Sequence, residues 1–405
     1  MPEAVIVSTA RSPIGRAFKG SLASIRPDDL AAQMIAAALA KVPELDPNTI
    51  NDLMLGCGLP GGKQGFNMAR VIAVQLGYDA VPGTTVTRYC SSSLQTTRMA
   101  LHAIKAGEGD VFISAGVESV SSFASGNSDS LPDTRNPLFA EAEARTATAA
   151  QGGVTWHDPR ADGLIPDAYI SMGETAENVA QVTGITREEM DRWGVRSQNR
   201  AEEAIKAGFF EREITPVTLA DGTVVSTDDG PRAGTTYEAV SKLKPVFRPD
   251  GLITAGNACP LNDGAAALVI MSDTKAAELG LTPLARVVST GVSGLSPEIM
   301  GLGPIEASKR ALALAGMSIS DIDLVEINEA FAVQVIGSAR ELGIDEDKLN
   351  VSGGAIAVGH PFGMTGARIT TTLLNNLSTH DGTFGLETMC VGGGQGMAMV
   401  LERLS

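Results

Sequence analysis

The chain opens on a short apolar run, Ala4 to Thr9, which reads as a strand. A turn-like Arg11-Ser12-Pro13-Ile14-Gly15 follows, and the next spacing predicts a helix from about Arg26 to Lys41. Its start is marked by Arg26-Pro27-Asp28-Asp29, which puts proline and two acids in the first turn, ahead of Leu30-Ala31-Ala32 and Met34-Ile35-Ala36. A strand from Asp52 to Leu55 and a helix near Asn67 to Leu76 continue the alternation. Strands alternating with helices predict an α/β architecture.

This order recurs. AVIVSTA at 4–10 is echoed by ARVVSTG at 285–291, and INDLMLG at 50–56 by DIDLVEI at 321–327. GDVFISAGVES at 109–119 has a looser counterpart in GTFGLETMCVGG at 382–393. The matches keep their order and have similar offsets, so two copies of one α/β unit are expected. Between them, from about Ser121 to Val246, the chain turns rich in Ser, Asp, Asn, Gly and Pro and carries a helical stretch, Arg187 to Lys206. A structureless loop of that length is improbable inside a compact domain, so this segment reads as an insertion with folded elements of its own. The expected division is 1–120 completed by 247–275, an inserted 121–246, and 276–405.

Composition narrows the function. Of 405 residues, 43% are apolar and 19% charged, which fits a globular chain with a large interior. The formal charge of −16 repels phosphate backbones and anionic lipid, so nucleic acid is not an expected partner, and a polyanionic ligand would need a local basic patch. The first apolar run is far shorter than a secretory or membrane-spanning segment, which leads to the expectation of a cytoplasmic protein without a membrane span. Four cysteines, Cys57, Cys90, Cys259 and Cys390, stand far apart without a CxxC pair, so neither a disulfide framework nor a metal site is indicated.

Three segments join a reactive side chain to small neighbours. In Thr87-Arg88-Tyr89-Cys90-Ser91-Ser92-Ser93-Leu94-Gln95, Cys90 ends a strand-like run and begins a helix-like one. The unpaired N–H groups of a helix start favour a thiolate there, which makes Cys90 a plausible nucleophile beside the alternative of an inert buried cysteine. His360 sits in Ser352-Gly353-Gly354-Ala355-Ile356-Ala357-Val358-Gly359-His360-Pro361-Phe362-Gly363 and is the best base in the chain; His102, His157 and His380 read as structural or surface residues. In Met389-Cys390-Val391-Gly392-Gly393-Gly394-Gln395, an apolar strand delivers a second cysteine to a glycine-rich turn whose N–H groups can form an oxyanion site.

With Glu326-Ile327-Asn328-Glu329-Ala330-Phe331, these segments resemble the thiolase family, and the resemblance runs over nearly the whole chain: VSTARSPIGR, RYCSSSLQ, AGVES, MGETAENVA, SQNRAEEA, TAGNACPLNDGAAA, INEAFA, NVSGGAIAVGHPFGMTGAR and CVGGGQGMAM in that order. The resemblance implies a duplicated, layered αβαβα fold whose inserted loop domain covers coenzyme A. It implies an acyltransferase that cleaves or forms 3-ketoacyl-CoA by a ping-pong route through an acyl-Cys90 intermediate. His360 is then the base that activates Cys90, Cys390 the acid/base at the carbon α to the thioester, and Asn328 the holder of a water in one oxyanion hole. Backbone N–H groups of Cys90 and Gly392 form the other. Arg232, Cys259, Met172 and Phe331 fall to coenzyme A binding.

Coenzyme A is expected as a substrate, with no tightly bound cofactor. The resemblance also implies a place in fatty-acid metabolism such as β-oxidation, a homodimer or homotetramer, and a possible hydratase/dehydrogenase partner. The chain departs from the family at Thr87, Ser93, Ser352, Ser171 and Cys259-Pro260. Two rival readings are a decarboxylating ketoacyl synthase, which usually relies on two histidines, and a non-catalytic acyl-CoA-binding relative, which need not keep Cys90, Asn328, His360 and Cys390.

Overall fold

The computed structural model describes residues 2–123 and 133–405. One continuous sheet runs through it, built from β1 (Ala4–Arg11), β2 (Asp52–Cys57), β3 (Gly83–Val86), β4 (Val111–Ser119), β5 (Asn262–Ser272), β6 (Ala285–Gly294), β7 (Leu324–Ile327), β8 (Phe384–Val391) and β9 (Gln395–Arg403). Their spatial order is β7-β8-β9-β6-β1-β5-β4-β2-β3. The two sides of this order match strand for strand. β1 runs antiparallel to β5, β5 antiparallel to β4, and β4 parallel to β2; β6 runs antiparallel to β9, β9 antiparallel to β8, and β8 parallel to β7. The sequence echoes fall on the equivalent pairs β1/β6, β2/β7 and β4/β8. The halves meet edge to edge through Val5 with Arg286 and Ile6 with Ala285.

Helices complete five layers, αβαβα. On the outside of the first half lie α1 (Pro27–Ala40) and α2 (Met68–Gln75). Arg26 caps α1 in an extended conformation with Pro27 in the first turn, and Leu30, Ala31, Met34, Ile35 and Ala38 are buried along one stripe. Between the half-sheets lie α3 (Ser92–Ala106) and α9 (Thr365–Thr379), packed together and enclosed by Leu94, Leu101, Ile104, Ile369, Leu373 and Met389. Their close approach needs Gly366, where a Cβ would fall 2.2 Å from Leu94 N. The outer layer of the second half holds α7 (Gly303–Ala315) and α8 (Ala332–Leu342).

Between β4 and β5 the chain forms α4 (Ala140–Ala149), α5 (Met172–Thr183) and α6 (Arg187–Lys206). A capping box between Thr186 and Glu189 starts α6, which accounts for its legible beginning. Trp193 and Ser197 of α6 donate to the buried Glu329 carboxylate at 3.0 and 2.6 Å, docking this segment against the turn after β7. Residues 124–132 of the expected insertion lie outside the described residues.

Candidate active site

Both central helices point their N-termini at one place. Cys90 lies in a tight turn, Tyr89–Ser91, between β3 and α3. Tyr89 holds φ at +45°, a left-handed conformation that costs a side-chain-bearing residue about 1–2 kcal/mol. The turn sets the Cys90 thiol against the turn after β8, where the backbone N–H groups of Gly392 and of Cys90 itself favour its thiolate form. Arg88 fixes this junction: its Nε donates to Gln95 Oε1 at 2.9 Å and its Nη1 to Gln395 Oε1 at 2.8 Å, while Gln395 Nε2 donates to Gly392 O at 3.2 Å.

His360 precedes α9 and is buried. Its N–H donates to Asn262 Oδ1 at 3.0 Å, and the preceding Gly359, with φ +115°, lies so close that a Cβ would meet Asn262 Cγ at 2.8 Å. His360 Nδ1 lies 2.6 Å from Thr365 Oγ1, whose hydroxyl donates to Pro361 O at 2.7 Å. A hydroxyl has one proton, so Thr365 accepts from Nδ1–H and leaves the Nε2 lone pair as the basic site. Among the described residues Nε2 has no partner, and neither does the amide oxygen or nitrogen of buried Asn328 at the end of β7. Buried polar atoms without partners are costly, and such atoms mark places where a ligand supplies the bond.

Cys390, near the end of β8, is fully buried, and a thiolate at Cys90 or Cys259 would raise its thiol further. α9 and β8 each touch the Tyr89–Ser91 turn. The structure thus gathers Cys90, Cys390, Cys259, Gly392 and the start of α9 at one junction. Glu118, buried at the end of β4, braces it by accepting from Gly58 N at 2.7 Å, Gln64 Nε2 at 2.8 Å and Gly363 N at 2.8 Å.

Electrostatics there overturn one expectation. A helix start was expected to favour the Cys90 thiolate, but burial wins: the thiol is pushed up to about 11, with the Gly392 and Cys90 N–H groups opposing and the Glu118 carboxylate adding to the rise. Burial, then the cation of Arg368, pushes His360 down to about 3. The resting pair is therefore neutral thiol and neutral imidazole. Burial also raises Cys390 well above the ordinary thiol value, which suits a group that lends and recovers a proton without remaining charged.

Two cavities adjoin this centre. One, of about 380 Å³, reaches Cys90 between Leu59, Tyr169, Met172, Phe362 and Gly392. The other, of about 510 Å³, is lined by Arg16, Arg232, Leu243, Phe247, Cys259 and Pro260. Arg232 is exposed there, with its N–H held by Gln198 Oε1 at 2.8 Å. Met172 belongs to the Cys90 cavity instead. Phe331 lies behind the wall, bridged to Ala258 and edge-on to Phe247 at 6.3 Å. Three departures from the family pattern are engaged locally: Thr87 Oγ1 donates to Gly58 O at 2.8 Å, Ser93 Oγ accepts from Ala367 N at 2.9 Å, and Ser352 Oγ donates to Asn376 Oδ1 at 2.7 Å.

Residues 4–274 match the family described as thiolase, N-terminal domain, and residues 281–403 match thiolase, C-terminal domain. The chain belongs to the thiolase family. It is 44% identical to a 3-ketoacyl-CoA thiolase of Bacillus subtilis (strain 168), over 99% of this chain and 100% of that one. It is 43% identical to an acetyl-CoA acetyltransferase of Escherichia coli (strain K12), over the full length of both. A crystal structure of the Bacillus anthracis acetyl-CoA acetyltransferase superposes with a TM-score of 0.87 at 38% identity, covering 100% of this chain and 99% of that one. This thiolase is an acyltransferase, with coenzyme A as a substrate. Among the described residues, no group of three His, Cys, Asp or Glu side chains is placed to hold a metal, and no helix is long and apolar enough to cross a membrane.

Sequence reasoning left several residues of this centre without a role. Thr365, Arg88, Gln395 and Glu118 all stand inside motifs singled out in the sequence. The five-residue separation of His360 and Thr365 was the available signal for one of them. Arg88 and Gln395 meet only in the folded chain.

Proposed function

We propose that this chain catalyses reversible thiolysis of 3-ketoacyl-CoA through an acyl-Cys90 intermediate. The observation that carries the reading is the gathering of two buried thiols, Cys90 and Cys390, at the start of α9, where His360 Nε2 and the Asn328 amide have no partner among the described residues. His360 Nε2 takes the Cys90 proton as sulfur attacks the keto carbon. The N–H groups of Cys90 and Gly392 hold the oxyanion that forms there. Bond cleavage leaves a carbanion-like α-carbon on the departing acetyl-CoA, and Cys390 protonates it; the thioester oxygen of that enolate lies against Asn328 and His360. Free coenzyme A then takes the acyl group from Cys90, and condensation reverses the steps.

Arg232 and Cys259 border the channel through which coenzyme A reaches Cys90, and residues 121–246 form its cover between two halves, 1–120 with 247–275 and 276–405. The protein works in the cytoplasm as a homodimer or homotetramer, in fatty-acid breakdown such as β-oxidation beside a hydratase/dehydrogenase. A relative named for thiolysis and one named for acetyl transfer are 44% and 43% identical to this chain, which supports a reversible reaction on one centre. The test is incubation of a 3-ketoacyl-CoA with coenzyme A. Release of acetyl-CoA, with an acyl adduct on the Cys90 peptide when coenzyme A is withheld, supports the reading. Adduct on another residue, or no acetyl-CoA, refutes it.

A further inference from the structure

Ile170 lines the cavity that reaches Cys90, and it also lines another, of about 230 Å³, built mostly by the inserted segment. Among the described residues Ile170 alone is common to both linings. The far chamber has apolar walls from Ala149, Val154, Trp156 and Leu164. Two of its polar side chains are tied to neighbours: Glu298 accepts from Trp156 Nε1 at 2.7 Å and from Asp167 N at 2.8 Å, and Arg248 donates to Glu174 Oε2 and Asn178 Oδ1, each at 2.7 Å, while Arg248 Nη1 has no partner among the described residues.

Ile170 is held where it stands. Asp167, buried three residues earlier, accepts from Tyr169 N at 2.8 Å and from Thr146 Oγ1 at 2.7 Å. Its own N–H is tied to Glu298, which reaches in from the turn before α7 in the second half of the fold. The Tyr169 ring packs edge-on to Phe139 at 5.3 Å. The segment 167–170 is thus braced, and Ile170, 5% exposed, stands where the linings of the two cavities meet.

We propose that Ile170 sets the acyl chain length: it confines linear acyl groups on Cys90 to the near cavity, and the chamber behind it accepts a longer alkyl tail once this side chain is cut back. The proposal rests on the reading in which Cys90 carries the acyl group. A β-branched side chain is stiff at χ1, and the hydrogen bonds of Asp167 hold the backbone that carries it, so the limit is steric. Removing it gives an alkyl tail apolar surface to bury, worth about fourfold in kcat/KM for each further methylene.

The experiment is thiolysis of a straight-chain series, acetoacetyl-CoA to 3-ketododecanoyl-CoA, by the wild-type protein, Ile170→Gly and Ile170→Trp. Acetylation of Cys90 by acetyl-CoA, read by mass, reports an intact centre in each. The expected result is an optimum that moves to longer chains in Ile170→Gly and to shorter ones in Ile170→Trp, with acetoacetyl-CoA still cleaved by the glycine variant. Active wild-type protein whose variants keep its ranking of chain lengths overturns this proposal alone. Wild-type protein that releases no acetyl-CoA from any member overturns the thiolysis reading, and this proposal with it.

Discussion

His360 Nδ1 lies 2.6 Å from Thr365 Oγ1, so the hydroxyl of the first residue of α9 decides which imidazole nitrogen is the base. Because Thr365 donates its own hydroxyl hydrogen bond to Pro361 O, it accepts from Nδ1–H, and the Nε2 lone pair has no partner among the described residues. Thr365→Ala leaves a buried Nδ1–H without a partner and lets the ring take the other tautomer. Acylation of Cys90 in single-turnover measurements should fall about ten- to a hundredfold, with the KM for coenzyme A little changed. Thr365→Ser should restore most of the rate; equal losses in both variants would assign Thr365 to packing rather than positioning.

The free enzyme should alkylate slowly at neutral pH. With the Cys90 thiol pushed up to about 11 by burial, inactivation by iodoacetamide should quicken about tenfold per pH unit from pH 7 to 10, because the thiolate is the reacting species. A rate that levels off near pH 7 would show an ion pair with His360 at rest and contradict the neutral pair.

A second buried pair bears on stability. Glu326 and Glu387 sit opposite each other on the parallel strands β7 and β8, facing α9, where Asn376 Nδ2 meets Glu326 at 3.2 Å and Thr370 Oγ1 meets Glu387 at 2.8 Å. Burial raises both carboxyls above the ordinary range; the Glu326 carboxylate adds to the rise of Glu387, Glu329 and Glu213 add to that of Glu326, and Arg368 opposes both. A carboxyl held higher in the folded chain than in the unfolded one stabilises fully below the unfolded value, near 4.5, and loses that contribution as pH climbs toward about 8. Glu387→Gln should match the wild type in Tm at pH 5 and exceed it by about 2 °C at pH 8.5. A lower Tm at pH 8.5 would show that the charged pair is supported by Arg368 instead.

Much of this was legible in the sequence because it was local. The strand echoes predicted the duplication, and Thr186-Arg187-Glu188-Glu189 marked the start of α6 through its capping box. Cys90, His360 and Cys390 were legible as reactive residues beside small ones. The charge state of Cys90 was not, because burial depends on how two halves close over it. Glu326 and Glu387 lie far apart in the chain and become neighbours only through strand register. Ile170 carries no local sign of its place either; it is held there only when Glu298, from the other half, pins Asp167.

The two-thiol division of labour is the centre of the account, and Cys390→Ala tests it most directly. The variant keeps Cys90, His360 and the Gly392 N–H, so acetyl-CoA should still acetylate Cys90, read as a mass increase on its peptide. Steady-state thiolysis of a 3-ketoacyl-CoA by the same preparation should fall by about a thousandfold or more, since the α-carbon has lost its proton partner. Near-normal thiolysis by Cys390→Ala would contradict the two-thiol mechanism.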